Sequence, residues 1–203
     1  MRVTVIPCGA AANESERKAV AHLEKSLRSE PGDGEWILLT NLTFSLNPRF
    51  QSDEIDILAI GPPGVRVVEI KHWTAQWISQ NDLEVQQEAE RVIAKARKIG
   101  TTLRKKCASL PRVAGTILLT QEPSKLKSLA GTKVRGVTVC TLNAWRDAIG
   151  FDSQPVLSSL DVKRLSQLLE PRSPVAIDGS LRRLGGYVNL VLQTPKDERF
   201  HRV

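Results

Sequence analysis

Two acidic residues and a lysine near the middle of the chain have the types and spacing of a hydrolytic site. Asp56, Glu69 and Lys71 lie in the segments DEIDILAI and VRVVEIKHW, which have the composition of β-strands and are joined by the turn sequence GPPG. If this sequence forms the turn, Ile60 pairs with Val65 and the same register places Asp56 directly opposite Glu69. Lys71 then lies on the same face as Glu69, because side chains alternate along a strand. A slip of one residue would put the two acids on opposite faces.

Opposed carboxylates on an apolar hairpin point to a divalent cation. Their Cβ atoms would be roughly 5 Å apart, and burying both charges would cost several kcal/mol unless a cation holds them. The cysteines and histidines are scattered and form no zinc cluster, so carboxylates would hold the metal, which favours Mg²⁺ or Mn²⁺. Lys71 could orient an attacking water and stabilise charge on a phosphate. The alternative is a simple surface ion pair between Glu69 and Lys71.

Two helical segments contribute further polar candidates. Glu16 begins the apolar stripe of the first helix, where it could join the site, but Asn13 three residues earlier also fits a helix cap. On the second helix Gln86 lies at the margin of the apolar stripe and can reach a site above the sheet. Gln87 points nearly opposite that stripe, so solvent exposure is the expectation for it.

The order of the predicted helices and strands that would position these residues indicates a mixed α/β sheet with helices packed on it. Residues 1–150 form the main unit, and the organisation changes near Pro155, so residues 151–203 form a C-terminal helix followed by a linker or hairpin. A sheet edge that stops in mid-pattern suggests that the chain is a fragment of something longer. The predicted helices cover residues 14–28, 85–103, 142–149 and 157–170, and the predicted strands cover residues 35–44, 53–60, 65–73, 113–120 and 134–141.

Composition and charge narrow the class of protein. The chain of 203 residues has no apolar run near the roughly 18 residues of a membrane span, which argues against a membrane protein. Its three isolated cysteines favour a reducing, cytoplasmic location. A formal net charge of +7 favours a polyanionic partner, although many cytosolic domains are as basic without binding nucleic acid. The run Arg104-Lys105-Lys106 could contact phosphates, or could be a solvated helix end.

The segment EIDILAIGPPGVRVVEIKHW, preceded by a helix that carries SERKAVAHL, resembles the nuclease-related domain family called NERD, which is classed with the PD-(D/E)XK nucleases. The resemblance covers roughly residues 12–145. It implies a restriction-endonuclease-like core of one helix, a three-stranded antiparallel meander, a second helix and a strand. It also implies metal-dependent phosphodiester hydrolysis, with Asp56, Glu69, the Ile70 carbonyl and Glu16 as metal ligands. Lys71 would complete the motif, and Gln86 or Gln87 would be the glutamine of the second helix.

The C-terminal segment GSLRRLGGYVNLVLQTPKDERFHRV is similar to the linker and first hairpin of protein kinases fused to such domains, among them the kinase of bacterial phage growth limitation. The basic charge and the nuclease resemblance together favour nucleic acid as partner, with DNA favoured over RNA. The similarity of the C-terminal segment implies a kinase domain in the same polypeptide. The resulting hypothesis is a metal-dependent nuclease of a phage-defence system. The alternative is a module that binds nucleic acid or protein without cleaving it and regulates the attached kinase.

Overall fold

A computed structural model describes residues 1–11, 13–45, 52–107, 110, 112–121, 132–169 and 187–189 of the chain. The described helices include none with the length and apolar composition needed to cross a membrane. The strands are β1 (Arg2–Pro7), β2 (Glu35–Ser45), β3 (Asp53–Gly61), β4 (Gly64–Lys71), β5 (Ala114–Leu119), β6 (Thr132–Val134), β7 (Val137–Thr141) and β8 (Tyr187–Asn189). The helices are α1 (Glu14–Ser29), α2 (Ala75–Gln80), α3 (Asp82–Arg104), α4 (Trp145–Ile149) and α5 (Ser159–Leu169), and one 3₁₀ turn covers Leu142–Ala144.

All of these strands belong to one mixed sheet. Its main order is β1-β2-β3-β4-β5-β7-β6, and the short β8 pairs in parallel with the end of β2. The centre is an antiparallel meander of β2, β3 and β4, which β5 and then β7 extend in parallel. The predicted α/β class and the helix–meander–helix–strand core are therefore confirmed, and the architecture is that of a restriction-endonuclease-like fold.

The sheet separates two apolar cores, because most of its strands bury side chains on both faces. On one face α1 covers the sheet, and its Leu23 and Leu27 belong to the same core as Ile57 of β3. On the other face α3 and α5 cover the sheet, and their Val92 and Leu165 belong to the same core as Leu58 of β3. The meander thus passes between helices that can bring polar side chains to it from both sides.

The β3–β4 hairpin has the predicted register. Ile60 pairs with Val65, and the ladder continues to the pair formed by Ile57 and Val68. At the turn, a Cβ on Gly61 would lie 2.3 Å from the Trp36 ring, so only glycine fits there. The turn and its register are confirmed as far as Ile57 and Val68, and the predicted pair of Asp56 with Glu69 lies one step beyond the last pair of the ladder.

Two expectations about elements were wrong or incomplete. Residues 134–141 do not form one strand: Arg135 and Gly136, with φ of 49° and 85°, make the tight turn between β6 and β7. β1 and α2 are additional elements that the sequence patterns did not reveal. The hairpin predicted within residues 179–203 lies outside the described residues, apart from the short strand β8. The division near residue 150 stays a prediction.

Candidate active site

Asp56 lies next to the point on β3 where pairing with β4 ends. Its Oδ2 atom accepts a hydrogen bond from the Ile70 main-chain N–H at 2.6 Å, just past the last ladder pair of the hairpin. The regular alternation assumed in the prediction stops here, because Ile55 belongs to the same core as Leu58 rather than that of Ile57. The β2–β3 ladder also skips this position and leaves Asn41, with φ of 52°, opposite Asp56. Both strands are therefore locally distorted where the Asp56 carboxylate bonds to the Ile70 main chain.

Glu69 is buried on β4, with 3% of its surface exposed. Its Oε1 atom accepts a hydrogen bond from Lys95 Nζ at 2.7 Å. Burial, together with the negative charge of Asp56, raises the pKa of Glu69 to about 7 although Lys95 opposes that shift. Two carboxylates are thus close enough to repel each other, in a place where water screens them poorly. A surface ion pair between Glu69 and Lys71 does not describe this arrangement.

Lys71 is held by a carboxylate from α3. Its Nζ atom lies 2.9 Å from Glu88 Oε1, and the other oxygen of Glu88 binds Arg91 at 3.0 Å. Burial disfavours the charged form of Lys71, but the hydrogen bond and charge of Glu88 outweigh this effect and raise the pKa of the lysine. Burial similarly opposes the charge on Glu88, whose pKa is nevertheless lowered by Lys71 and Arg91. Lys71 is therefore a cation at neutral pH.

Glu16 comes from the opposite face of the sheet, at the start of α1. Asn13 caps the helix by accepting a hydrogen bond from the Glu16 main-chain N–H, and its amide donates to Glu16 Oε1 at 2.7 Å. Glu16 Oε2 also accepts a hydrogen bond from Asn41 at 3.0 Å. Burial and the charge of Glu16 both raise the pKa of Asp56, while the hydrogen bond from Ile70 opposes the shift. Helix capping and proximity to the site, which were alternatives in the sequence, occur together.

The two glutamines stand apart from this group. Gln86 is half-buried and bonds to Asp82 of its own helix at 2.6 Å and to Arg135 of the β6–β7 turn at 3.0 Å. Gln87 is exposed. The structure therefore brings together the charges of Asp56, Glu69, Lys71 and Glu16, and it engages Gln86 elsewhere.

Three residues at the site were missed. Lys95 and Glu88 of α3 form ion pairs with residues of β4. Asn41 of β2 donates a hydrogen bond to Glu16 of α1. Charged residues at positions 88, 91 and 95 recur at intervals of three and four along one flank of a predicted helix, and this signal could have revealed the first two. Asn41 has no comparable signal, because its role depends on a distortion that only strand pairing creates.

The donor set suits a hard divalent cation with few protein ligands. The described residues contain no group of three or more His, Cys, Asp and Glu side chains that could hold a metal. Magnesium, however, is commonly bound by one or two carboxylates, with water and substrate phosphate completing its shell. The adjacent Asp56 and Glu69 carboxylates fit that pattern, because a cation between them would relieve their repulsion.

The comparisons with known proteins agree with this geometry. The model of the family described as NERD, the nuclease-related domain, matches residues 11–139, which is more than half of the chain. The match includes α1, the whole meander and α3, and therefore every residue of the site described above. No curated protein matches the chain. With this fold and this match, the chain belongs to the NERD family of nuclease-related domains.

Proposed function

We propose that this NERD domain is a metal-dependent nuclease that hydrolyses phosphodiester bonds, with DNA as its substrate. The observation that carries the proposal is the pair of carboxylates formed by the half-buried Asp56 and the buried Glu69, next to the charged Lys71. Burying like charges together lowers the stability of a protein, so stability does not explain the arrangement. Residues with perturbed pKa values cluster at functional sites.

The expected cofactor is Mg²⁺ or Mn²⁺. Asp56, Glu69 and the Ile70 carbonyl would hold it, and Glu16, beside Asp56, would bind a second cation or a water molecule. When bound, such an ion lowers the pKa of a coordinated water and neutralises charge on the phosphate.

The protein's own groups would orient the reactants. The Ile70 N–H fixes one oxygen of Asp56, so the other remains available to a ligand. Glu88 keeps Lys71 positioned and protonated, which suits a hydrogen-bond donor to the attacking water or to a phosphate oxygen. A lysine with a raised pKa is a poor base, so Lys71 would act through its charge and its N–H groups.

A second candidate function has one specific observation in its favour. Glu69 and Lys71 already have partners of opposite charge, Lys95 and Glu88, so the charges are compensated within the protein. A non-cleaving module that binds nucleic acid or protein, and regulates a kinase in the same polypeptide, would use such a compensated centre for stability. In the nuclease proposal, by contrast, Glu69 would leave its ion pair with Lys95 and bind the metal. A place in a bacterial phage-defence system is compatible with both functions and is part of the proposal.

The deciding experiment is cleavage of supercoiled plasmid and of single-stranded DNA with Mg²⁺, Mn²⁺ or a chelator. We expect metal-dependent nicking that falls by at least about a hundredfold in Asp56→Asn and Lys71→Ala, because each removes a group that acts on the reacting phosphate. Lys25→Ala, an exposed residue on the far side of α1, is the matched control and should cleave normally.

Wild-type rates in both site variants would reject the mechanism. Metal-independent DNA binding by a folded protein that never cleaves would instead support the regulatory module.

A further inference from the structure

A cavity of about 650 Å³ opens on the flank of α3 that faces away from the candidate active site. It lies between α3, the start of β5 and the β6–β7 turn. We call it the arginine pocket, and its main lining residues are Arg97, Arg104, Arg112, Ile93, Ala96 and Val113.

The arginine pocket is separate from the carboxylate site. Lys95 and Arg97 are two residues apart on α3, so their side chains leave the helix at angles that differ by about 160°. The pocket also includes Ala114, which pairs with Arg66 at the start of β4, whereas Lys71 is at the end of that strand. Five strand residues correspond to about 17 Å. A ligand in the pocket would therefore not contact the reacting groups directly.

The arginines around the pocket have no charged partner among the residues that the structure describes. All three arginines are exposed, and within the described part of the chain none of them forms an ion pair. Arginines elsewhere on the surface do form such pairs, namely Arg17, Arg28, Arg91, Arg135 and Arg146. Three guanidinium groups around one cavity repel each other, and an anion placed among them would remove that repulsion.

The shape and chemistry of the pocket favour a nucleotide. Guanidinium groups bind phosphate through paired N–H donors, and the apolar floor of Ile93, Ala96 and Val113 suits the face of a base or a sugar. The volume lies in the range of small-molecule sites. We propose that the arginine pocket binds a nucleoside phosphate, either as a free nucleotide or as one unit of a nucleic acid strand. This inference goes beyond the proposed nuclease activity and does not depend on it.

The test is calorimetric titration of the full chain with 5′-AMP, adenosine and an eight-residue deoxyadenosine oligonucleotide, in a chelator so that no metal-dependent cleavage occurs. We expect the phosphate-bearing probes to bind and adenosine to fail. Arg97→Ala and Arg112→Ala should each weaken binding roughly tenfold, the usual effect of losing one charge-assisted hydrogen bond. Arg164→Ala on α5 is the matched control, because it removes an exposed arginine that does not line the pocket. Thermal unfolding of each variant checks that it is folded.

Binding of 5′-AMP identifies a free nucleotide as the source, and binding of the oligonucleotide alone identifies a strand. The proposal is overturned if no phosphate-bearing probe binds, if adenosine binds as well as 5′-AMP, or if the pocket variants bind like the wild type. A protein that binds these probes through the pocket but never cleaves DNA would reject the nuclease and keep the pocket. A protein that cleaves DNA but does not bind these probes through the pocket would reject the pocket proposal and keep the nuclease.

Discussion

At the scale of single residues, the candidate active site contains two ion pairs, each between a buried glutamate and a half-buried lysine. Glu69 of β4 bonds to Lys95 of α3, and Lys71 of the same strand bonds to Glu88 of the same helix. Asp56 has no such cation at hydrogen-bond distance among the described residues, and its bond comes from the Ile70 main chain instead. Among the described residues of this site, negative charge is therefore least compensated at Asp56, where a cation would be most stabilising.

Glu69 should make the stability of the protein depend on pH. Its pKa is raised from 4.5 to about 7 by burial and by Asp56, so the folded state holds a proton that the unfolded state has already lost. The free energy of unfolding should therefore fall by about 3 kcal/mol as the pH rises from 4.5 to 7. Urea unfolding between pH 4.5 and 8, in a chelator, measures this.

The pH effect needs a matched pair of variants, because the raised pKa of Asp56 acts in the same direction. Glu69→Gln should flatten most of the dependence, and Glu90→Gln, which changes an exposed glutamate of α3, should leave it intact. Equal pH profiles for the wild type and Glu69→Gln would show that Glu69 is not the group responsible.

Glu88 should act as a positioning residue for Lys71. Under the proposed mechanism Glu88→Ala should reduce DNA cleavage by roughly 10- to 100-fold, because small displacements of a reacting group have effects of that size. Glu88→Gln keeps a hydrogen-bond acceptor for Lys71 and should restore part of the rate. Glu90→Ala is the control in the same cleavage assay. If Glu88→Ala cleaves at the wild-type rate, Lys71 does not need this partner.

At the scale of elements, the β3–β4 hairpin and α3 set the geometry. The short turn fixes the register that brings Asp56 beside Ile70, and α3 crosses β4 so that Glu88 and Lys95 face it. The opposite flank of the same helix carries the arginine pocket. One helix therefore contributes to two regions of different charge, negative carboxylates on one side and guanidinium groups on the other.

The turn of the hairpin should tolerate no side chain at Gly61. A Cβ there would lie 2.3 Å from the buried Trp36 ring, so Gly61→Ala should reduce the free energy of unfolding by about 3 kcal/mol, the upper end of the usual cost of overpacking. Gly34→Ala is the matched control, because its nearest neighbour would be 3.4 Å away, an ordinary contact. Chemical denaturation of both variants makes the comparison. Equal stability would mean that Trp36 can move aside without cost.

At the scale of the whole molecule, the sheet lets two helices on opposite faces reach the same residues. Glu16 arrives from the α1 face and influences Asp56, while Glu88 and Lys95 arrive from the α3 face. A cluster assembled in this way depends on the complete sandwich of helices and sheet, so loss of either helix would dismantle it.

The net charge of +7 should make nucleic acid binding depend on salt. Using Asp56→Asn in a chelator to prevent cleavage, we expect the affinity for single-stranded DNA to fall steeply with ionic strength, because each phosphate contact releases counterions. For four to six contacts the logarithmic slope would be about −3 to −4. Fluorescence anisotropy from low to moderate salt measures it, and a flat profile would contradict an electrostatic mode of binding.

The sequence alone determined the local features of this protein. Strand composition and the GPPG turn fixed the register of the hairpin, and the 3.6-residue periodicity located α1, α3 and α5, because these are short-range effects of backbone geometry and hydrophobic pattern. They were enough to identify Asp56, Glu69 and Lys71 and the family resemblance. The strand predicted over residues 134–141 failed because the left-handed turn at Arg135 and Gly136 interrupts a pattern that otherwise suits one strand.

Only the tertiary structure decided how the charges are paired. Glu69 and Lys71 are neighbours on one strand, yet each takes its partner from α3, twenty-six and seventeen residues away. The distortion at Asn41 and Asp56 and the contact of Gln86 with Arg135 likewise depend on which elements meet in space. The physical reason is that periodicity gives the face on which a side chain lies, whereas the packing angle of helix on sheet decides which opposite charge reaches it.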